Sequence, residues 1–76
     1  MDQGVQENRA ETVTPIERFL APYGREIELQ RVTYDNGYEL LRLRIREGKR
    51  FTILELDAET ARHWAGLMQQ WAQEQP

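Results

Sequence analysis

The stretch REIELQRVTYDNGYELLRLRIR, residues 25–46, contains two runs of alternating polar and apolar residues around the turn signal Asp35–Gly37. Runs arranged in this way predict the two strands of a β-hairpin. A three-residue loop whose glycine is left-handed places Leu29 opposite Leu43 on one side of the hairpin. A two-residue Asn-Gly turn would place Leu43 opposite a glutamine instead. We therefore favour the three-residue loop.

The same register arranges charged residues on the other side of the hairpin. Carboxylates and arginines alternate along facing strands, and a slip of one residue would turn every side chain to the opposite face. Exposed pairs of this kind contribute only about 0–1 kcal/mol each, but they make the arginines less available to a phosphate. The predicted pairs are Ile27 with Ile45 on the apolar side, and Glu26 with Arg46, Glu28 with Arg44 and Gln30 with Arg42 on the charged side.

A third strand follows in RFTILEL, residues 50–56, after a turn at Glu47–Lys49. With a three-residue loop, Leu43 lies opposite Ile53 and the apolar face continues into this strand. The second face of the sheet is then divided into a charged part and an apolar part. The apolar part is predicted to contain Val32, Leu40, Leu54 and Leu56.

Helices are predicted on both sides of these strands. TPIERFLAPYG, residues 14–24, has Thr14 as N-cap, a proline at the first helical position and a capping-box glutamate, which together predict a short helix. LDAETARHWAGLMQQWAQEQ, residues 56–75, has Asp57 as N-cap and a broad apolar stripe at helical spacing. We interpret its two tryptophans as core residues, and Gly66 as a site where the helix approaches the sheet closely.

The predicted fold is α+β with the order α-β-β-β-α: a three-stranded antiparallel meander, a long C-terminal amphipathic helix packed on one face, and a short N-terminal helix. Residues 1–12 lack apolar periodicity and are predicted to be a disordered tail. Residues 13–74 are predicted to form a single small domain.

Composition narrows the possible functions. The chain has 76 residues, no cysteine, one histidine and a net charge of −3. Disulfides and thiolate metal sites are therefore excluded. The amino terminus is unlike a signal peptide, and no apolar run approaches the roughly 18 residues of a membrane span. We expect a cytoplasmic protein that needs no cofactor or metal and is not an enzyme.

The apolar part of the second sheet face is the first candidate site, because an exposed patch of this kind marks a protein-binding surface. The N-terminal helix, a second copy or another protein could cover it, and both outer strands expose an edge for pairing between chains. The candidate protein interface consists of Val32, Tyr34, Tyr38, Leu40, Leu54 and Leu56.

A nucleic-acid surface is the alternative site. Residues 25–50 carry a local charge of +2, and two tyrosines face each other at the hairpin tip. Cations beside aromatic rings suit single-stranded nucleic acid, although the overall charge is acidic. The candidate contacts are Arg31, Arg42, Arg44, Arg46, Lys49 and Arg50.

Two families have a similar outline. The predicted order α-β-β-β-α resembles the double-stranded RNA-binding domain, but LDAETAR is acidic where that family places a lysine-rich motif. YELLRLRIREGKRFTILELDAETARHW, residues 38–64, is similar in outline to the PC4-like single-stranded DNA-binding domains. That resemblance implies a basic sheet that leads into a capped helix, and a dimer.

Taken together, these features favour a non-catalytic protein–protein interaction module or small accessory subunit that acts through its sheet surface. Its partner would be another protein or a second copy of itself in a homodimer, with no membrane involved. Nucleic-acid binding through the arginines and hairpin tyrosines is the alternative function.

Overall fold

The computed structural model describes residues 11–76, which form one antiparallel sheet followed by one α-helix. The strands lie in the sheet in their chain order, so each is hydrogen-bonded to the next and the outer two are edges. The elements are β1 (Glu11–Ala21), β2 (Arg25–Tyr34), β3 (Glu39–Glu47), β4 (Arg50–Leu56) and α1 (Ala58–Gln73). The predicted order α-β-β-β-α is therefore wrong, because the described residues have the order β-β-β-β-α.

The hairpin of β2 and β3 has the predicted register. Leu29 lies opposite Leu43, and the acidic residues of β2 lie opposite the arginines of β3. Tyr34 donates its backbone N–H to the carbonyl oxygen of Tyr38 at 2.9 Å and closes a three-residue loop. Gly37 within it has φ +89°, a conformation that glycine adopts without steric cost. The local turn signal was therefore sufficient to define this pairing.

The hairpin of β3 and β4 differs from the prediction by one residue. Glu47 pairs with Arg50 across a two-residue turn whose first position, Gly48, has φ +62°. Glycine at that position is typical of a type II′ turn, which matches the twist of the flanking strands. Leu43 consequently lies opposite Leu54 instead of Ile53. The shift moves the leucines of β4 to the other face of the sheet.

Residues 14–21 form strand β1 and not the predicted helix. The capping signals would support a helix of only about two turns, which is too short to be stable alone, whereas β1 pairs with β2 along its whole length. Pro15 is tolerated because β1 is an edge strand, and the register shifts between Pro15 and Glu17. The turn Pro22–Gly24 leads into β2. Without the first helix, the similarity to the double-stranded RNA-binding domain is lost.

The predicted tail, residues 1–12, lies mainly outside the described residues. Its last two members, Glu11 and Thr12, belong to β1.

Helix α1 begins as predicted. The Asp57 carboxylate accepts a hydrogen bond from the backbone N–H of Thr60 at 2.9 Å, and Glu59 lies in the first turn, where the helix dipole favours negative charge. A Cβ atom added at Gly66 would meet no neighbouring atom within 4 Å. The prediction that Gly66 allows close approach to the sheet is therefore wrong, because this glycine faces away from it.

Very little of the described chain is buried. Val32 has no exposed surface and Leu56 is 8 % exposed, and these are the buried hydrophobic residues among those described. In the part of the chain that the structure describes, no helix is long and apolar enough to cross a membrane.

Candidate protein interface

An apolar cleft of about 400 Å³ separates α1 from the sheet. We call the sheet side that borders it the cleft face. The sheet contributes Phe19, Ile27, Leu29, Leu41, Leu43 and Leu56, and the helix contributes Ala61, Trp64, Ala65 and Met68. Every lining side chain is apolar. The volume is more than ten times the roughly 30 Å³ that a water molecule occupies in the liquid, so α1 does not close onto the sheet.

The cleft continues into a second apolar surface toward the C-terminal end of α1. This surface, the tryptophan ridge, consists of Trp64, Leu67, Met68 and Trp71, and it borders an open depression of about 470 Å³. Trp64 is 38 % exposed and Trp71 is 64 % exposed. The interpretation of the tryptophans as core residues is therefore wrong for the isolated chain.

The structure divides the six residues of the predicted interface between the two sheet faces. Four of them lie in two neighbouring rows on the face opposite the cleft: Tyr34 and Tyr38 stack with ring centroids 6.4 Å apart, and Val32 lies beside Leu40. Because of the altered turn, Leu54 and Leu56 lie on the cleft face, in the rows of Leu43 and Leu41. The predicted patch is therefore not one continuous surface.

The sheet side of the cleft was not predicted from the sequence. Ile27, Leu29 and Leu43 were expected to form a core covered by the helix, whereas all three remain partly exposed because α1 stands away from them. The difference in size between the single long helix and the sheet could have identified this surface. A single helix of 16 residues must cover four strands, and its apolar stripe is only about 100° wide.

The other face of the sheet carries the three arginines of β3, and each of them is paired. Arg44 Nη1 lies 3.0 Å from Glu28 Oε1, and Arg46 Nη2 lies 2.7 Å from Glu26 Oε1, as predicted. Arg42, for which the predicted neighbour was a glutamine, binds a carboxylate of β4.

Arg42 Nη2 lies 2.7 Å from Glu55 Oε2 and 3.5 Å from Glu11 Oε1. This contact depends on the observed β3–β4 register, which places Glu55 directly opposite Arg42. The hydrogen bond that Arg42 donates to Glu55 raises the pKa of Arg42 above its ordinary value, and the hydrogen bond that Arg46 donates to Glu26 lowers the pKa of Glu26. With Arg18 of β1, which lies 3.5 Å from Glu26, four arginines thus meet four carboxylates, so this face does not carry excess positive charge.

The remaining predicted nucleic-acid contacts lie apart from these three arginines. Arg31 points to the cleft side of β2 and lies 3.5 Å from Glu39. Lys49 lies in the β3–β4 turn, and Arg50 pairs with Glu47 at its base. The six cations therefore do not form one continuous stripe.

Among residues 11–76, no group of three His, Asp or Glu side chains is arranged to hold a metal ion. The neighbouring carboxylates of Asp57 and Glu59 are accounted for by the start of α1, where one caps the helix and the other lies in its first turn.

Comparison with curated proteins and with solved structures gave no match. A family model does match: residues 10–74, which include all four strands and the helix, fit the family of unknown function DUF6967. The chain therefore belongs to the family DUF6967.

Proposed function

We propose that this protein is a non-catalytic interaction module that binds protein in the cleft between α1 and the sheet. The observation that carries the proposal is the open apolar cleft itself. Soluble monomers rarely leave a large contiguous apolar surface in contact with water, and such surfaces mark sites of protein association.

The chemistry of the surface supports a protein ligand. Aromatic and methionine side chains are enriched at protein interfaces, and buried tryptophans often contribute most of the binding energy. Trp64, Met68 and Trp71 lie side by side on the ridge. Glu17, Arg31 and Arg50 are charged residues of the cleft face that do not line the cleft itself, which gives an apolar centre with a polar rim.

The alternative function, nucleic-acid binding, has weaker support. A phosphate would have to displace carboxylates that already lie within 3.0 Å of Arg44 and Arg46. Binding through these arginines would decrease steeply with salt, because it depends on the release of counterions. Association through the cleft would change little with salt.

Tryptophan fluorescence tests the proposal directly, because the two tryptophans of the chain are both on α1. Acrylamide quenching and the emission maximum would be measured over a wide dilution series, with molecular mass determined on the same samples. We expect the tryptophans to be accessible whenever the chain is monomeric and to become shielded when the mass increases. A folded monomer whose tryptophans are shielded at every concentration would refute the proposal, because the chain would then close its own cleft.

A matched pair of variants adds a second test with the dye 1-anilinonaphthalene-8-sulfonate as the probe. Met68→Asp adds a charge at the cleft, and Gln70→Asp adds the same charge on the polar side of α1. At a concentration where the chain is monomeric, we expect the first variant to lose most of the dye fluorescence and the second to retain it. Equal fluorescence from both variants would contradict a site in the cleft.

A further inference from the structure

The chain contains both an apolar cavity and an apolar projection. The sheet and two alanines of α1, Ala61 and Ala65, border the cleft. Farther along the same helix, Leu67 and Trp71 lie outside the cleft lining and are more than half exposed. A cavity and a projection on the same molecule allow two copies to fill each other's cavity around a two-fold axis, as an isologous interface requires.

The exposed area is close to what a stable dimer needs. A fully exposed large side chain offers roughly 150–250 Å², and six such side chains around the cleft are 38–64 % exposed. They therefore present roughly 600 Å², and the partly exposed leucines of the cleft face add to this. A standard interface buries about 800 Å² per partner. The six side chains are Phe19, Leu54, Trp64, Leu67, Met68 and Trp71.

The composition of the surface is that of a permanent interface. No charged side chain lines the cleft or the depression beside the ridge, and interfaces that are apolar throughout their centre are typical of obligate homodimers. The small number of buried residues points the same way. A chain with two buried hydrophobic residues among those described gains stability when a partner covers its exposed apolar surface, and a second copy is always made with it.

We propose that the protein bound in the cleft is a second copy of this chain, with Leu67 and Trp71 of each copy directed into the cleft of the other. This inference rests on the proposed function, in which the cleft is a protein-binding site. It adds the identity of the partner and the symmetry of the complex.

Sedimentation equilibrium over a dilution series is the first test. We expect the wild-type chain to have twice its mass of 9.0 kDa and to dissociate only on strong dilution. The emission of the tryptophans should shift to the red in step with the loss of mass. A dimer whose tryptophan emission does not change as it dissociates would overturn the inference, and this measurement needs no variant that might fail to fold.

Three variants locate the interface. Leu67→Glu places a charge on the ridge, and Gln69→Glu places the same charge on the opposite side of the same helical turn. We expect Leu67→Glu to raise the dimer dissociation constant by roughly thirtyfold or more, as for a hot-spot residue, and Gln69→Glu to change it by no more than about twofold. Ile53→Lys adds a charge to the exposed edge strand β4. A dimer that Ile53→Lys dissociates and Leu67→Glu leaves intact would overturn the inference in favour of strand pairing.

The outcomes separate the inference from the proposed function. A wild-type chain of 9.0 kDa at every concentration would refute the second copy. If the tryptophans of that monomer are accessible to acrylamide, the cleft remains a binding site for a different protein. If they are shielded, the proposed function is refuted as well.

Discussion

Val32 offers the sharpest test of how the sheet is stabilised, because it is the one side chain with no exposed surface among the described residues. It lies on the central strand β2, between Val13 of β1 and Leu40 of β3, on the face opposite the cleft. Val32 does not line the cleft beneath α1. Val32→Ala therefore probes a part of the sheet outside the proposed interface.

The magnitude follows from the two methyl groups that the substitution removes. Burial of each is worth about 0.8 kcal/mol, so the loss of transfer free energy is about 1.6 kcal/mol, and the cavity left behind adds on the order of 1 kcal/mol. We expect the free energy of unfolding to decrease by about 2–3 kcal/mol. For a domain of this length, such a loss lowers Tm by roughly 10–20 °C.

Val13→Ala is the matched control, since it makes the same chemical change in the same row of the sheet at a side chain that is 39 % exposed. Its expected cost is about 1 kcal/mol, because part of the side chain is already hydrated. Both variants would be unfolded in urea at one fixed protein concentration, with circular dichroism as the readout, because association shifts apparent stability. Costs that agree within about 0.5 kcal/mol would refute the assignment of Val32 as the buried centre of the sheet.

Four further results are expected. Thermal melts of the wild-type chain should move to higher Tm as protein concentration rises, and melts of Leu67→Glu should not; a concentration-independent wild-type Tm would contradict linked folding and association. Stability should decrease below about pH 4, because hydrogen bonds from Thr60 and Arg46 lower the pKa of Asp57 and of Glu26, respectively, in the folded state. The stabilisation from these two carboxylates is complete above their unfolded-state pKa and is lost as pH falls through their folded-state pKa. Urea titrations that show greater stability at lower pH would contradict this prediction. Gly66→Ala should increase stability by about 0.5–1 kcal/mol, because the added methyl group meets no atom within 4 Å and alanine favours helix; a destabilised variant in urea unfolding would show that Gly66 has a packing role. Fluorescence anisotropy with labelled single-stranded DNA and RNA should detect no tight binding at about 50 mM salt. Binding at that salt concentration would support the nucleic-acid alternative if it is lost at about 200 mM salt and weakened by Arg44→Ala.

The first hairpin and the final helix were predictable because their signals are local. The turn at Asp35–Gly37 and the alternation on either side of it define one register in which both faces have suitable pairs, and that register is the observed one. Asp57 and the apolar spacing after it place the start of α1 correctly. In both cases the residues that decide the structure lie within a few positions of each other.

The first strand was not predictable in the same way. Residues 14–20 satisfy the rules for a short helix, and their structure as β1 depends on hydrogen bonds to β2, a separate part of the chain. Long-range pairing of this kind outweighs a weak local preference. The second hairpin was ambiguous because Gly48 suits both a three-residue and a two-residue turn. The choice between them places Leu54 and Leu56 on the cleft face, beneath the helix that follows them.

The sequence by itself determined the central hairpin, the pairing of Arg44 and Arg46 with their carboxylates, and the amphipathic helix, because each depends on spacing along a short segment. Tertiary structure alone decided that a fourth strand replaces the first helix and that α1 stands away from the sheet. Whether an apolar face becomes a core or an interface depends on how much of it the rest of the chain can cover. In this protein one helix is too small to cover the sheet, and the uncovered remainder is the candidate site.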